Sequence, residues 1–389
     1  MKPSRRLDRI PPYLFAELER KIAAKKAQGV DVISLGIGDP DLPTPARVVE
    51  AMARHVHNPR THQYPSNRGN ATFRQAVASF YDRRFGVALD PDTQVIPALG
   101  GKECVYHVNF AFLDPGDVAL ASDPGHPVYT GGPLLASAEP VLMPLVPENG
   151  FAPDLEAIPR EKLERARLMF LNYPNNPTGA VAPDGLFDQA VAFAREHDLL
   201  VVHDNAYSEI TFDGYVAPSF LATHGAMDVG VEVFSLSKGY NMTGWRCAVI
   251  VGNAEAIDHY WRLKTNVDSG MFEALQVAGA VALREADEHV REMCAVYQRR
   301  RDLVIDALRA IGIELEPPKG TIYVWAPVPA GHTSASFAEE VLERSGVIVS
   351  PGSSYGPSGE GWFRISLTIG DDRLAEAVER MRNSLVVTS

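Results

Sequence analysis

The sequence predicts an α/β fold in which helices flank a mostly parallel β-sheet. Short apolar runs, such as residues 118–122 and 199–202, alternate with longer stretches of helical periodicity. These runs are apolar throughout, which is typical of strands that are buried on both faces. Polar loops rich in glycine, proline and asparagine follow them. Because ligands of such sheets bind beyond the carboxyl ends of the strands, we expect a functional site where these loops meet.

The length of 389 residues predicts two domains and an N-terminal arm. The arm, residues 1–45, carries the proline-punctuated run RIPPYLF and is expected to pack with the small domain. The large domain is expected to span residues 46–285, and the small α+β domain residues 286–389. Helical patterns lie at residues 14–28, 46–57, 72–85, 186–197, 286–311, 334–345 and 372–385. Further strands are predicted at residues 231–234, 247–252, 322–325, 347–350 and 363–367.

Composition and charge exclude several classes of protein. A formal net charge of −12 without a basic face argues against binding to nucleic acid. The three cysteines are far apart and predict neither disulfides nor a zinc site, and His55, His57 and His62 lack the further ligand that a metal site needs. No stretch resembles a signal peptide or reaches the length of a membrane span, so we expect a cytoplasmic protein without membrane partners.

The run VEVFSLSKGYNMTGWR, at residues 231–246, contains residue types suited to a covalently bound cofactor. A β-like run leads to Lys238, and a lysine shielded from water at a strand end can form a Schiff base with a carbonyl group. Ser235, Ser237 and Arg246 supply two hydroxyls and a planar cation, which suit a phosphate. Taken alone, the run also fits a surface lysine in a Ser/Gly loop.

Asp204 follows another predicted strand, so its carboxylate should face the same edge of the sheet as Lys238. A lysine that bonds an aldehyde and an aspartate that holds a ring nitrogen protonated form the arrangement used with pyridoxal phosphate. Tyr207 and Asn176 lie where they would reach the phenolic oxygen of that ring. Singly, each has a simpler interpretation: Asp204 as a helix cap or ion-pair partner, and the NNPTG run as a plain turn.

For two further features, the residues alone allow both a structural and a functional role. Gly100 and Gly101 precede a predicted helix whose free N–H groups suit a phosphate, although glycine at such a turn is often geometric only. Arg364 lies in an otherwise apolar strand, and a buried guanidinium needs an anionic partner. That partner is either a structural acid or the carboxylate of a substrate.

Together these motifs resemble the class I/II aminotransferases of the fold-type I pyridoxal-phosphate enzymes. The resemblance covers nearly the whole chain, and the motifs follow the family's order and spacing. Within the family, stretches such as SLSKGYNMTGWR and KTNVDSGMFEALQ most resemble the LL-diaminopimelate aminotransferases. The residues that carry the resemblance are Tyr64, GGK at 100–102, NNPTG at 175–179, DNAY at 204–207, SLSK at 235–238, Arg246 and Arg364.

The resemblance implies a role for each matching residue and the cofactor pyridoxal 5'-phosphate. Lys238 would be the Schiff-base lysine, Asp204 the partner of the ring nitrogen, and Asn176 and Tyr207 the ligands of the phenolic oxygen. Arg364 would hold the substrate α-carboxylate, with Asn176 and Gly38 beside the substrate. The phosphate ligands would be Gly101, Lys102, Ser235, Ser237, Arg246 and, from the other subunit, Tyr64. Similar enzymes are homodimers whose active sites lie at the subunit interface.

One position departs from the family pattern. In DPGHPVY this chain has His126 where relatives usually have an aromatic residue that stacks on the cofactor ring. A neutral imidazole can stack, but over a smaller area. Tyr129 lies nearby as a possible substitute.

The resemblance implies ping-pong transamination of an amino acid with a 2-oxo acid, with LL-diaminopimelate and 2-oxoglutarate as the expected pair. Aspartate, aromatic, alanine and N-succinyl-diaminopimelate aminotransferases remain open, as does a β-lyase with the same cofactor.

Two hypotheses of another class remain. The run from Ser235 to Lys238 also reads S-x-x-K, the signature of an acyl-transfer serine. Its companion motifs are matched only by SDP at residues 122–124 and KTN at 264–266, and its serine opens a helix whereas Ser235 follows a β-like run. A non-catalytic regulator would bind the cofactor without turnover.

Overall fold

The computed structural model describes residues 1–10 and 14–385. Residues 11–13 of the RIPPYLF arm and residues 386–389 lie outside the described residues. In the described ranges, no helix is both long enough and apolar enough to cross a membrane.

Strands and helices alternate through the central part of the chain. The strands are β1 Ile33–Ser34, β2 Val95–Ala98, β3 Val118–Asp123, β4 Glu139–Pro144, β5 Ala166–Leu171, β6 Leu200–Asp204, β7 Gly230–Ser235, β8 Ala248–Gly252, β9 Tyr323–Pro327, β10 Val347–Ile348, β11 Ser350–Pro351 and β12 Trp362–Ser366. The α-helices are α1 Leu14–Ala27, α2 Ala46–Val56, α3 Ala71–Phe85, α4 Gly101–Phe112, α5 Val128–Leu135, α6 Arg160–Leu163, α7 Leu186–His197, α8 Ala226–Val229, α9 Leu236–Gly239, α10 Ala254–Val267, α11 Glu273–Glu285, α12 Asp287–Ala310, α13 Ser334–Ser345 and α14 Asp371–Ser384.

The central sheet has the strand order β2-β8-β7-β6-β5-β3-β4. Strands β4, β3, β5, β6 and β7 pair in parallel, whereas β8 is antiparallel to both β7 and β2. The connection from β7 to β8 contains no long crossover helix, and a parallel pair needs one, so the chain returns antiparallel. The predicted mostly parallel sheet is confirmed.

Helices cover both faces of this sheet. In β3, Val118 and Leu120 belong to a core shared with α2, α3, α7 and α11, whereas Ala119 and Ala121 belong to a core shared with α4, α5 and α10. Strand β3 is therefore buried on both sides, which explains why residues 118–121 are all apolar.

The C-terminal part forms a three-stranded antiparallel sheet, β11-β12-β9, which shares an apolar core with α12, α13 and α14. The N-terminal strand β1 pairs in parallel with β10 through Ile33 and Val347. This pairing joins the first part of the chain to the last. The division into domains at residues 45 and 285 stays a prediction.

Two strands differ from the sequence analysis. The predicted strand at 347–350 is split, because Val347–Ile348 pairs with β1 while Ser350–Pro351 pairs with β12. Strand β4 was not predicted, since its sequence contains Pro140 and Pro144. It lies at the edge of the sheet, where a residue without an N–H donor is tolerated.

Candidate active site

The loops that follow β5, β6 and β7 meet the first turn of α4 around a cavity of about 370 Å³. Every predicted site residue except Tyr64 and Arg364 lines it. The lining residues are Ile37, Gly38, Asp39, Gly101, Lys102, Val105, His126, Val128, Tyr129, Asn172, Asn176, Asp204, Ala206, Tyr207, Ser235, Ser237, Lys238, Thr243, Arg246 and Tyr323.

Lys238 enters the cavity from α9, the short helix that follows β7. Its Nζ donates a hydrogen bond of 2.6 Å to the carbonyl oxygen of Gly38. Burial lowers the pKa of this amine, and the nearby cations of Arg364 and Arg246 lower it further. The site therefore favours the neutral amine, which is the form that can attack a carbonyl or accept a proton.

Asp204 is the last residue of β6. The Tyr129 hydroxyl donates to its Oδ2 at 2.9 Å, while Oδ1 is shielded from solvent and has no protein partner among the described residues. Burial raises the pKa of this carboxyl group. One carboxylate oxygen is thus available to a donor from a ligand, such as a protonated ring nitrogen.

An anion-binding pocket lies where α4 begins. Gly100 has φ +97°, and a Cβ atom there would fall 1.9 Å from Nη2 of Arg246. Only glycine lets the guanidinium approach the N-terminus of α4 this closely. Ser235 caps α9 by accepting a 3.2 Å hydrogen bond from the backbone N–H of Ser237. Hydroxyls, a guanidinium and free helix N–H groups converge here, which suits a phosphate.

Arg364 is fully buried beside the cavity. Its Nη1 donates to Asn176 Oδ1 at 2.9 Å and its Nη2 to the Gly36 carbonyl at 2.8 Å, while Nε has no partner in the part of the chain that the structure describes. The rings of Tyr323 and Tyr355 lie 3.9 and 4.7 Å from the guanidinium carbon. The ion pairs found among the described residues do not include Arg364, so the structure does not provide the structural acid considered from the sequence.

His126 faces the cavity as a neutral imidazole. Its Nδ1 accepts a 3.2 Å hydrogen bond from the backbone N–H of Val128, which leaves the proton on Nε2. Burial lowers the pKa of His126 to about 3, helped by nearby cations including Lys102. Tyr129, the suggested substitute for stacking, stacks on Phe170 with ring centroids 5.6 Å apart and bonds Asp204 through its hydroxyl.

Tyr64 lies away from this cavity and is 87% exposed. It lies in the connection between α2 and α3. Its predicted contribution to the site of another subunit stays a prediction, as do the individual roles of the other residues.

Two of the cavity residues that the sequence analysis missed form hydrogen bonds to predicted site residues. Asn172 directly follows β5, and a polar residue at a strand end was the signal that led to Asp204, so the same signal was present. Tyr323 begins β9 and places its hydroxyl 3.2 Å from that of Tyr207. It lies in the aromatic run TIYVW, whose pattern predicts only a strand.

The S-x-x-K hypothesis lacks its companion groups. As expected, Ser235 follows a β-strand, since it is the last residue of β7, although it also caps the short helix α9. The other groups are elsewhere, however: Ser122 Oγ donates to the Phe170 carbonyl, and Lys264 Nζ lies 3.1 Å from Glu103 and 2.7 Å from Asp268. Neither Ser122 nor Lys264 lines the cavity.

Lys264 also explains a cluster with the composition of a metal site. Glu103, His107 and Asp268 place possible ligand atoms within 4.8 Å of one another. The Lys264 ammonium lies between the two carboxylates and supplies the positive charge that a metal ion would bring.

The arrangement fits pyridoxal phosphate. An anion pocket lies beside a lysine with a lowered pKa, and Asp204 Oδ1 has no protein partner. Asn176 and Tyr207 line the same cavity and can donate to a phenolic oxygen.

Comparisons with known proteins agree with this chemistry. Residues 30–381 match the family model described as aminotransferase class I and II. The LL-diaminopimelate aminotransferase of Moorella thermoacetica is 54% identical over 385 residues, covering 99% of both chains. The enzyme of the same name from Desulforudis audaxviator is 55% identical over 382 residues, covering 98% of this chain and 97% of its own. The substrate-bound structure of BacF from Bacillus subtilis is 40% identical, with a TM-score of 0.95 over 100% of this chain and 99% of its own.

Proposed function

The chain belongs to the class I and II aminotransferases, and on that premise we propose that it transfers an amino group from LL-diaminopimelate to 2-oxoglutarate. Transamination with pyridoxal 5'-phosphate as cofactor is the activity of its family. The observation that carries the choice of donor is the identity of 54 and 55%, over nearly the full length, to two enzymes named for LL-diaminopimelate.

The bound cofactor supplies an electron-withdrawing ring that stabilises negative charge on the α-carbon of the substrate. Asp204 would hold the ring nitrogen through Oδ1 and keep it protonated. Asn176 and Tyr207 would donate to the phenolic oxygen. The phosphate would be bound by Gly101, Lys102, Ser235, Ser237 and Arg246, and His126 would pack on the ring face.

Lys238 both anchors the cofactor and moves the proton of the reaction. Burial lowers the pKa of Lys238 Nζ, which makes the neutral amine more accessible. This amine would take up the α-proton of the substrate and hold it at Nζ. The Gly38 carbonyl, 2.6 Å from Nζ, fixes the position of the lysine in the cavity.

Arg364 binds the α-carboxylate of both substrates. Two aromatic faces and a hydrogen bond to Asn176 fix the plane of its guanidinium. A carboxylate can then be gripped by two hydrogen bonds, which places the α-carbon over the ring. Gly38 lies beside the substrate, where a Cβ atom would collide with the Tyr323 hydroxyl at 2.0 Å.

The proposal includes a homodimer with shared active sites and a cytoplasmic location. The high exposure of Tyr64 supports a contact with a second subunit. The cysteines of the described residues are all free, as in a reducing compartment.

Mixing two inactive variants tests the shared site. Lys238→Ala and Tyr64→Ala are each expected to be inactive, but a heterodimer would contain one site with both residues intact. Refolding an equal mixture should restore about a quarter of wild-type activity, because about half of the dimers are mixed and each has one good site. No recovery in a mixture shown to contain mixed dimers would mean that Tyr64 acts in its own subunit, and an active Tyr64→Ala variant would mean that Tyr64 has no role in the site.

A panel of amino donors with 2-oxoglutarate tests the substrate. LL-diaminopimelate should convert the cofactor to its pyridoxamine form faster than aspartate, aromatic amino acids, alanine or N-succinyl-diaminopimelate. A higher kcat/KM for any of these would overturn the choice of donor while leaving transamination in place. Release of ammonia and a 2-oxo acid from an amino acid with a β leaving group, in a reaction to which no 2-oxoglutarate is added, would indicate a β-lyase instead.

A further inference from the structure

One buried amide joins the two strand ends that carry the ring contacts. Asn172, which is 1% exposed, directly follows β5 and lines the cavity. Its Nδ2 donates to the backbone carbonyl of Asp204 at 2.7 Å, and its Oδ1 accepts from the backbone N–H of Asn176 at 2.8 Å. The same side chain thus contacts the backbone of both residues proposed to bind the ring.

We propose that Asn172 is a positioning residue that fixes the separation between Asp204 and Asn176. This inference rests on the proposed function, in which these two residues bind the ring nitrogen and the phenolic oxygen. Because the ring is rigid, its two contacts fit only if the two strand ends are held at a matching distance. Asp204 is also held by Tyr129 through Oδ2, and Asn176 by Arg364 through Oδ1, so Asn172 joins two otherwise separate sets of contacts.

Only an amide of this length satisfies both ends. The carbonyl of Asp204 requires a donor and the N–H of Asn176 requires an acceptor, and asparagine offers both from one planar group. Asn172→Asp keeps the acceptor for Asn176 but places a second acceptor against the Asp204 carbonyl. This substitution therefore disturbs the ring-nitrogen side and leaves the phenolic side intact.

Binding of two cofactors to the apoenzyme provides the test. The first is pyridoxal phosphate, and the second is 1-deazapyridoxal phosphate, in which a C–H group replaces the ring nitrogen. Asn172→Asp should raise the dissociation constant of pyridoxal phosphate about tenfold, the effect of losing one good hydrogen bond. The dissociation constant of the deaza analogue should stay within about twofold of that of the wild type, since it makes no contact with Asp204 through this atom.

A neighbouring asparagine gives a matched control. Asn175 is equally buried, but its side chain bonds only within its own turn, to the Asn172 carbonyl and to Thr178. Asn175→Ser should therefore affect the two cofactors equally, whatever it costs in thermal stability. If Asn172→Asp does not fold, Asn172→Ser serves in its place, because a hydroxyl is too short to bond both backbones and should also weaken pyridoxal phosphate more than the analogue.

Equal weakening of both cofactors by the Asn172 variants, or no weakening of either, would overturn the positioning role. Asp204→Ala separates this failure from failure of the proposed function. If Asp204→Ala still discriminates between the two cofactors as the wild type does, the assignment of Asp204 to the ring nitrogen is wrong. If it loses the discrimination while Asn172→Asp keeps it, only the inference about Asn172 falls.

Discussion

Replacing Asp204 by asparagine should stabilise the apoenzyme while weakening its hold on the cofactor. Among the described residues the carboxylate Oδ1 has no partner; it is shielded from solvent, and burial raises the pKa of the group. Asparagine has the same shape, its oxygen can still accept from the Tyr129 hydroxyl, and its amide NH2 then takes the unpaired position. Both residues leave one polar group unpaired, but only the carboxylate is charged, and the extra cost of burying a charged rather than a neutral group is about 1–3 kcal/mol. Because Asp204 borders a cavity of about 370 Å³ that water can enter, we expect the lower end, about 1 kcal/mol.

The sign of the pH dependence follows from the raised pKa. A carboxyl group with a raised pKa in the folded state contributes stability below its unfolded pKa, and this contribution is lost as pH rises through the folded pKa. Wild type and Asp204→Asn should therefore have similar stability in acid, and the variant should gain its advantage as pH rises. Thermal unfolding of the apoenzymes at about pH 4.5 and about pH 8 measures this difference, which amounts to roughly 1–2 °C at the higher pH.

At saturating cofactor, the wild type should be more stable than Asp204→Asn, which is the reverse of the order for the apoenzymes. A ligand that binds only the folded protein stabilises it in proportion to the logarithm of its affinity. Because the neutral amide of the variant cannot form an ion pair with a protonated ring nitrogen, the cofactor should stabilise the wild type more than Asp204→Asn. Asp213 is a control of opposite sign, because its hydrogen bonds to Arg301 lower its pKa, so Asp213→Asn should lose stability near pH 8. If the Asp204→Asn apoenzyme is less stable than wild type at that pH, or if cofactor raises both melting temperatures equally, the reasoning is refuted.

Three further substitutions test the remaining contacts. Lys238→Ala should abolish transamination and the visible absorbance of the bound cofactor, and normal turnover would remove the lysine from the mechanism. Arg364→Lys keeps the positive charge but cannot form two parallel hydrogen bonds to a carboxylate, so kcat/KM for every amino donor should fall about a hundredfold. An unchanged KM would mean that Arg364 has a structural role. His126→Phe enlarges the stacking surface, so titration of the apoenzyme should show a dissociation constant a few times lower, and weaker binding would contradict stacking at this position.

The fold was predictable because its strands carry one strong signal. A strand that is buried on both faces is mostly apolar, as residues 118–121 of β3 and 200–202 of β6 are, although β7 also buries Glu232, which pairs with His203 of β6. The orientation of β8 carried no such signal, since a buried antiparallel strand has the same composition. Strand β4 was not predicted because its sequence contains two prolines. These prolines are tolerated because β4 lies at the edge of the sheet.

The site was predictable where chemistry restricts the residue type. Few side chains other than lysine can bond an aldehyde, so Lys238 stood out even in a loop of ordinary composition. Asn172 and Tyr323 contact predicted site residues, and these contacts are made across the chain. Asn172 and Asp204 are 32 residues apart in the sequence, and Tyr323 and Tyr207 are 116 residues apart. A local sequence pattern does not reveal contacts at such separations.

The charges of Asp204 and Arg364 decide a question that the sequence left open. Arg364 is fully buried and Asp204 is half-buried with its Oδ1 shielded from solvent; among the residues that the structure describes, this oxygen has no donor and Arg364 has no ion-pair partner. Leaving either charge uncompensated is costly, and a structural role would have supplied a protein partner of opposite sign. A ligand that brings a cation to Asp204 and an anion to Arg364 removes both costs at once. A protonated pyridine ring and the α-carboxylate of an amino acid carry these two charges, so the same imbalance that destabilises the empty site favours its occupation by cofactor and substrate together.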